Sequence, residues 1–378
     1  MLRLQQTSNY YPRCSLPDVA HDVLEGVAAD AIFHLLRFAK KECGLTEKDF
    51  NHAVKEFNEE ADALEKYQGL PIPKFKFHVL DTGKSDGLFK ATFAQTRTLV
   101  TRFFFILNKT VVGTRKDLYN STQFKIFRNF LLMTGFLFSS YLHQESDPIE
   151  FDLLSQSFLK QTILYNSDYD IKPKGHNLTH YKTNFIMYGP PKHFSTMCDE
   201  RAMGDLKDAI KSHQNPCQQI AKAFKHQMEF YVADFENNFS KLPNGGKYRK
   251  PYGDEQLELN GEHRCFKSIR FNGAFFAQGL AITLCRPSKN WLSSETFSIA
   301  QFYIIKDIVE MNFELKLIVA PLKIICLNNF FVALECEIVE TKCKLVSVND
   351  LFIKKTFSIR KFDKSYFVVI DGLPVKKF

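Results

Sequence analysis

The chain predicts an α+β fold with its helices first and a small antiparallel β-barrel or sandwich after them. Up to about residue 235 the apolar residues recur at helical spacing. From about residue 265 the texture changes to short runs rich in Val, Ile, Phe and Tyr, bounded by Gly, Pro or Asn. Between them, 237–264 is turn-rich with few apolar residues and reads as a linker. At 378 residues, two or three domains with their own cores are expected. A hydrophobic share of 45% and a charged share of 24% are globular proportions.

Ser15 reads as the N-cap of the first helix, with Asp18 in the capping-box position. Leu24, Val27, Ala28, Ile32, Leu35 and Leu36 supply its apolar face to about Lys41. A more charged helix follows over 46–63. The Gly and Pro of 69–73 and the Gly, Ser and Asp of 81–87 signal loops. Further helices are expected at about 93–110, 118–143, 150–165, 176–187, 199–212 and 216–235. Strands are expected at 275–283, 297–308, 315–320, 330–339 and 365–370.

Phe is over-used at 38 residues, whereas Trp occurs once. A net charge of +8 permits a nucleic-acid or acidic partner without demanding one. The N-terminal stretch is polar, without the apolar run of a signal peptide. The most apolar helix, at 129–142, is too short to span a bilayer. The nine cysteines include no C-x-x-C pair, which points to free thiols in a reducing compartment and away from a Cys-based zinc site. No Walker-type phosphate loop and no Gly-x-Ser-x-Gly elbow occur. The expectation is an intracellular protein with no membrane partner and no small-molecule ligand.

Four places could carry chemistry. Asp18 and His21 stand three apart at a helix start, where both can lean to one side and hold a metal or a water. Capping alone also accounts for Asp18. His176 and His180, at i and i+4, have the spacing with which a helix grips zinc, but Asn177 stands where a zinc protease carries its glutamate. A Gly189-Pro190-Pro191 stop leads into a helix with Glu200, Gly204, Lys207 and Lys211 on one stripe and Met203, Leu206 and Ile210 on another. A surface helix with ordinary macrodipole charges accounts for the same stripe. Lys182, Lys192, Arg201, Lys207, Lys211, Lys222 and Lys225 make 182–225 a candidate DNA-facing surface, since lysines beside a polyanion gain from counterion release.

Read in order, these segments resemble the later part of transposases of CACTA-type DNA transposons. The residues are Pro17-Asp18-Val-Ala-His21-Asp22-Val23-Leu24-Glu25-Gly26, then Lys174-Gly-His176-Asn-Leu-Thr-His180-Tyr181, then Gly189-Pro190 followed by Met197-Cys-Asp-Glu200 and Lys207. The strand-rich end, with Phe297-Ser-Ile-Ala-Gln-Phe-Tyr-Ile-Ile, is similar to that family's C-terminal region, so the resemblance covers most of the chain. It implies an incomplete RNase H-like core with a large all-helical insertion. The corresponding divisions are a core remnant at 1–44, the insertion at 45–170, the last core helices with Glu200 at 171–236, the linker, and a strand-rich domain at 265–378. In such a core, acidic residues hold two divalent ions, Mg2+ or Mn2+, for phosphoryl transfer. Glu200 matches the last acid, and Asp18 and His21 match the Asp-x-x-His element.

The departures from the pattern are equally specific. The resemblance implies two catalytic aspartates ahead of the Asp-x-x-His element, yet 1–17 contain no Asp or Glu. The Trp usual before Met-x-x-Glu is missing, and Asp199 stands where an aromatic is common. The site is therefore expected to be vestigial, with no metal cofactor held by the chain as given and no catalysis of transposition. DNA, an intact transposase or a second copy are the expected partners, with the nucleus before the cytoplasm as location. The other reading is an interaction module in which the C-terminal β domain binds a protein or chromatin partner.

Overall fold

In a computed structural model, the structure describes residues 18–139, 145–166, 172–195, 218, 221–222, 225, 256–259, 263–271, 274–284, 302–311, 314–328, 331–339, 343–351, 355–362, 365–369 and 371–372. The expected helices at 199–212 and 216–235 fall almost entirely outside these residues, as do Ser15 and most of the 237–264 linker.

The described chain opens on a π-helix, Val19–Val27, which runs directly into α1, Ala28–Cys43. Asp18, expected in a capping-box position behind Ser15, is itself the N-cap and accepts from the Ala20 N–H at 3.1 Å. Gly44, at φ 68°, closes α1 in the left-handed conformation that glycine takes at little cost. α2, Glu47–Glu59, is capped by Thr46. α3, Ala63–Gly69, is capped by a reciprocal Asp62–Glu65 box, and α4, Phe93–Asn108, by the matching Thr92–Gln95 box. α5, Thr122–Leu137, starts at Ser121, and α6, Asp147–Tyr165, has Pro148 in its first turn. α7, Pro173–Asn177, passes through a 3-10 turn into α8, Tyr181–Tyr188, which Gly189 ends. The expected helices up to residue 188 are present, and α3 is an addition that the charged pattern of 46–63 concealed.

The many phenylalanines find their reason in the helical core. Phe50, Phe75, Phe103, Phe104, Phe124, Phe127 and Phe130 are all at most 1% exposed. Their rings meet edge-on, tilted or stacked, as between Phe50 and Phe75 at 4.9 Å and between Phe104 and Phe124 at 5.6 Å.

The strand half holds β1 Gln256–Leu259, β2 His263–Phe266, β3 Ser268–Phe271, β4 Ala274–Ala277, β5 Ala281–Thr283, β6 Phe302–Met311, β7 Glu314–Asn328, β8 Ala333–Ile338, β9 Lys344–Ser347, β10 Thr356–Phe357, β11 Ile359–Phe362 and β12 Ser365–Val369. All the pairings are antiparallel. Ten strands form one sheet with the path β1-β2-β6-β7-β8-β12-β11, while β5, β10 and β9 pair beside it and β3 and β4 form a separate hairpin. Of the expected small antiparallel barrel or sandwich, the antiparallel sheet is present, and no closed barrel is seen among the described residues. One stretch of chain still serves both sides of the sheet, since β10 pairs β5 and β11 pairs β12 with only Ser358 between them. The sheet also begins earlier than its texture suggested, because β1 lies inside the stretch read as a linker. Its residues Gln-Leu-Glu-Leu carry too little Val, Ile or aromatic content to announce a strand.

The helices and the sheet share one core. Phe105 of α4 stacks on Phe331 at 4.4 Å and meets Phe367 of β12 at 6.1 Å, and Phe302, Leu322 and Ile324 belong to the same cluster. A second cluster, with Phe276, Leu280, Ile305, Ile308, Leu317 and Val319, is built around other sheet residues. Burial on both faces accounts for the apolar start of β6, with Phe302 and Ile304 in the first cluster and Tyr303 and Ile305 in the second.

Charged groups also cross the junction between helices and sheet. Glu65 of α3 is fully buried and accepts from Nε of Arg102 on α4 at 3.1 Å. It accepts from Nε of Arg360 on β11 at 3.1 Å as well, and pairs with that guanidinium through its second oxygen. Arg102 further donates to Ser358 Oγ at 2.9 Å. At a second seam, Arg97 grips both oxygens of Asp371 at 2.8 and 2.9 Å, and Lys355 donates to the Asp371 carbonyl. Burial pushes the Lys355 ammonium down to about 7, against the pull of the neighbouring Asp371 charge. No helix among the described residues is long and apolar enough to cross a membrane.

Candidate functional site

Residues from the three sequence segments meet around the π-helix. Asp18, already committed to the helix N-terminus, also pairs through its other oxygen with His21 Nδ1. With Nδ1 facing the carboxylate, Nε2 is the acceptor nitrogen of the neutral ring. Phe93 of α4 backs the imidazole edge-on at 5.3 Å, and the Ser195 hydroxyl lies 3.5 Å from Asp18 Oδ1. Ser195 follows the Gly189-Pro190 turn, so that segment too reaches the Asp18 carboxylate.

One residue on, Asp22 points inward and is 7% exposed. It accepts from Asn177 Nδ2 of α7 at 2.8 Å and lies 3.4 Å from the Tyr181 hydroxyl of α8. Burial pushes its carboxyl above the ordinary range, and the Asn177 hydrogen bond opposes that shift. Tyr181 is 0% exposed, and burial followed by the charges of Asp22 and Asp18 raises its phenol well above the usual value. Asp22, Asn177 and Tyr181 thus form a buried polar clasp between the first and second segments, which explains why acid, amide and phenol occupy those positions.

The clasp continues along the helix. Glu25 faces Lys174 Nζ at 3.6 Å, and the Lys174 stem lies across Gly26 so closely that a Cβ there would sit 2.7 Å from Lys174 Cδ. Asp30 of α1, buried, receives the Ser85 hydroxyl and Lys172 Nζ, the latter at 2.9 Å. Ser85, Asp30 and Lys172 went unmarked in the sequence. An acid within the apolar stripe of a helix was the available signal, and nothing local identified its partners.

His176 and His180 come together with their rings edge-on and Nε2 atoms 3.3 Å apart. At that separation one ring can donate to the other. No group of three His, Cys, Asp or Glu side chains able to hold a metal exists among the described residues. Lys182, expected to face DNA, is paired with Asp152 of α6 at 2.9 Å. Lys192 is exposed on a 3-10 turn, Pro191–Phe194, and Lys222 and Lys225 are exposed at helical positions. Glu200, Arg201, Lys207 and Lys211 lie outside the described residues.

The arrangement therefore has one acid–imidazole dyad of partial exposure, at 16% for the Asp18 side chain and 41% for His21, above a buried polar clasp. Such a dyad can take or give a proton and orient a water. Among known proteins the chain matches no family model, no curated sequence and no solved structure.

Proposed function

We propose that this chain is derived from a CACTA-type transposase, that its helical part continues an RNase H-like core, and that as given it does not itself cut or join DNA. On this reading it retains binding to DNA or to an intact transposase. The observation that carries the proposal is that the first two resembling segments pack together and that Ser195, in the described part of the third, reaches the Asp18 carboxylate. Asp22 accepts from Asn177 and lies against the Tyr181 hydroxyl, Glu25 faces Lys174, and Asp18 pairs with His21 and lies 3.5 Å from the Ser195 hydroxyl.

The donor set does not fit a two-metal centre. Asp18 bonds the Ala20 N–H and His21, Asp22 is buried in its clasp, and these described residues offer no further carboxylate beside them. Two ions need several converging carboxylates at fixed separations. Glu200 is assigned by the resemblance alone. On this reading the dyad holds an inherited, non-catalytic place.

The test is incubation of the purified 378-residue chain with labelled duplex DNA in Mg2+ and then Mn2+. No cleaved or joined product is expected, and metal-dependent product would overturn the proposed inactivity. The alternative, a partner-binding sheet, is favoured by Ile325 on β7 and Leu345 on β9, which are 47% and 49% exposed. Capture of a specific protein that is lost on Leu345→Asp would favour it over DNA binding.

A further inference from the structure

The expected basic surface at 182–225 is only partly available, since Lys182 is held by Asp152. A different one stands on the opposite flank of the sequence, in the arm 70–92 between α3 and α4. Its inner side is apolar: Ile72, Phe75, Phe77, Val79, Leu80 and Leu88 are buried, with the Phe75 ring 4.9 Å from both Phe50 and Phe89. Its outer side carries Lys74, Lys76, His78, Lys84 and Lys90, all exposed. None of the four lysines has a hydrogen bond or ion pair through its ammonium among the described residues.

The arm is fixed in place by its backbone. Asn51 of α2 donates to the Phe75 carbonyl at 2.9 Å and accepts from the Phe75 N–H at 2.8 Å. Asn58, two turns on, does the same for Ile72 at 3.0 and 2.9 Å. Glu47 accepts from the Phe77 N–H at 2.6 Å, and Gln95 of α4 donates to the Pro71 carbonyl at 2.7 Å. The Lys76 N–H reaches the Leu88 carbonyl at 2.9 Å, which ties the two ends of the arm together. The acids of this stretch are Asp81 and Asp86, and Lys40 takes Asp81 through both oxygens at 2.7 and 2.8 Å. On α2, Glu56 lies 3.5 Å from His52 Nε2 and Glu59 lies 3.7 Å from Lys55 Nζ. Among the described residues, no acid pairs with the ammonium of these four lysines.

We propose that the outer face of the arm 72–90, through Lys74, Lys76, Lys84 and Lys90, is a docking surface for the phosphate backbone of DNA. Lys74 and Lys76 alternate outward on an extended run, so they stand about 6.6 Å apart, close to the interval between successive phosphates of one strand. A chain anchored by paired Asn–backbone bonds holds that spacing without ordering a loop on binding. Backbone contact of this kind carries affinity and no base sequence. The inference rests on the DNA-binding part of the proposed function and moves it to residues that the sequence pattern did not single out.

The test uses the full chain and a fluorescein-labelled duplex of arbitrary sequence, titrated by anisotropy between about 50 and 200 mM salt. The quadruple variant K74A/K76A/K84A/K90A is expected to bind on the order of tenfold or more weakly. Its slope of log K against log salt should be shallower by about 0.9 for each lysine that meets a phosphate. K222A/K225A serves as the comparison, and a thermal melt unchanged from wild type shows that both variants are folded. Equal affinity and slope for wild type and the arm variant, with the loss appearing in K222A/K225A, overturns the arm and leaves DNA binding standing. Wild-type chain that ignores the duplex overturns both the arm and the DNA-binding part of the proposed function. Binding only to vesicles of anionic phospholipid also overturns the arm as a DNA surface.

Discussion

Replacing Glu65 by Gln takes away one negative charge that two guanidiniums share out of contact with water. The Glu65 side chain is 0% exposed, Arg102 is 1% exposed and Arg360 is 9% exposed. The glutamine keeps the volume and can still accept from the Asp62 N–H, which the glutamate does at 3.2 Å. It cannot neutralise the guanidiniums, and removing one partner of a buried charged group costs about 3–5 kcal/mol. That corresponds to roughly two to three and a half decades in the folding equilibrium, at about 1.4 kcal/mol per decade. The assay is urea denaturation followed by far-UV circular dichroism, with the midpoint converted through a common slope. Glu65→Gln should lower the midpoint far more than Glu59→Gln, whose Lys55 pair is exposed and worth about 0.3–0.5 kcal/mol. Adding Arg360→Leu to Glu65→Gln should cost much less than the sum of the single changes, because the second charge no longer lacks its partner. A Glu65→Gln loss no larger than that of Glu59→Gln, or additive single costs, would refute the claim that this triad holds the sheet to the helices.

Three further outcomes follow from the site and the core. Asp22 has its carboxyl raised by burial, so its contribution is fully present below the unfolded-state value of 3.8 and is lost as pH rises through the higher folded value. Asp22→Asn should therefore flatten the fall in melting temperature across weakly acidic pH, and an unchanged profile would contradict the buried clasp. Gly26→Ala places a Cβ 2.7 Å from Lys174 Cδ and 3.3 Å from the His21 carbonyl, and should destabilise by about 1–3 kcal/mol through overpacking. Its double variant with Lys174→Ala should recover most of that loss, and no recovery would place the clash elsewhere. Cys326 and Cys343 are exposed, whereas Cys265 and Cys336 are buried and burial pushes the Cys336 thiol up to about 12. Brief alkylation of native protein, read by peptide mass, should label the first pair and spare the second; early labelling of Cys336 would contradict its place in the core.

Much of the helical half was legible because its signals are local. Thr46, Thr92, Ser121 and Pro148 stand where caps and first turns require them, and the apolar stripes behind them have the helical period. The strand half was legible in texture and less so in extent. β7 runs to Asn328 beyond the expected 315–320, because its partner changes from β9 to β8 along its length and pairing carries it through residues of weaker preference. Spacing drew attention to Asp18 with His21 and to His176 with His180, and each pair is a pair of neighbours, whereas the contacts of Asp22 with Asn177 and Tyr181 and of Asp18 with Ser195 had no local signal.

By itself the sequence determined that helices precede strands, where most of the described helices start and that phenylalanine is over-used. Period, capping and composition act over a few residues, so they survive being read without neighbours. Tertiary structure alone decided that Asp22 would be clasped by Asn177 and Tyr181, that Lys182 would be neutralised by Asp152, and that the lysines of the arm 72–90 would be left outward. It also decided that the sheet would share a core with the helices, with Glu65 and Arg360 joined across 295 residues of chain. Contacts at such separation depend on which surfaces pack once water is excluded, and burial then fixes whether a charge is a clasp or a contact for a partner.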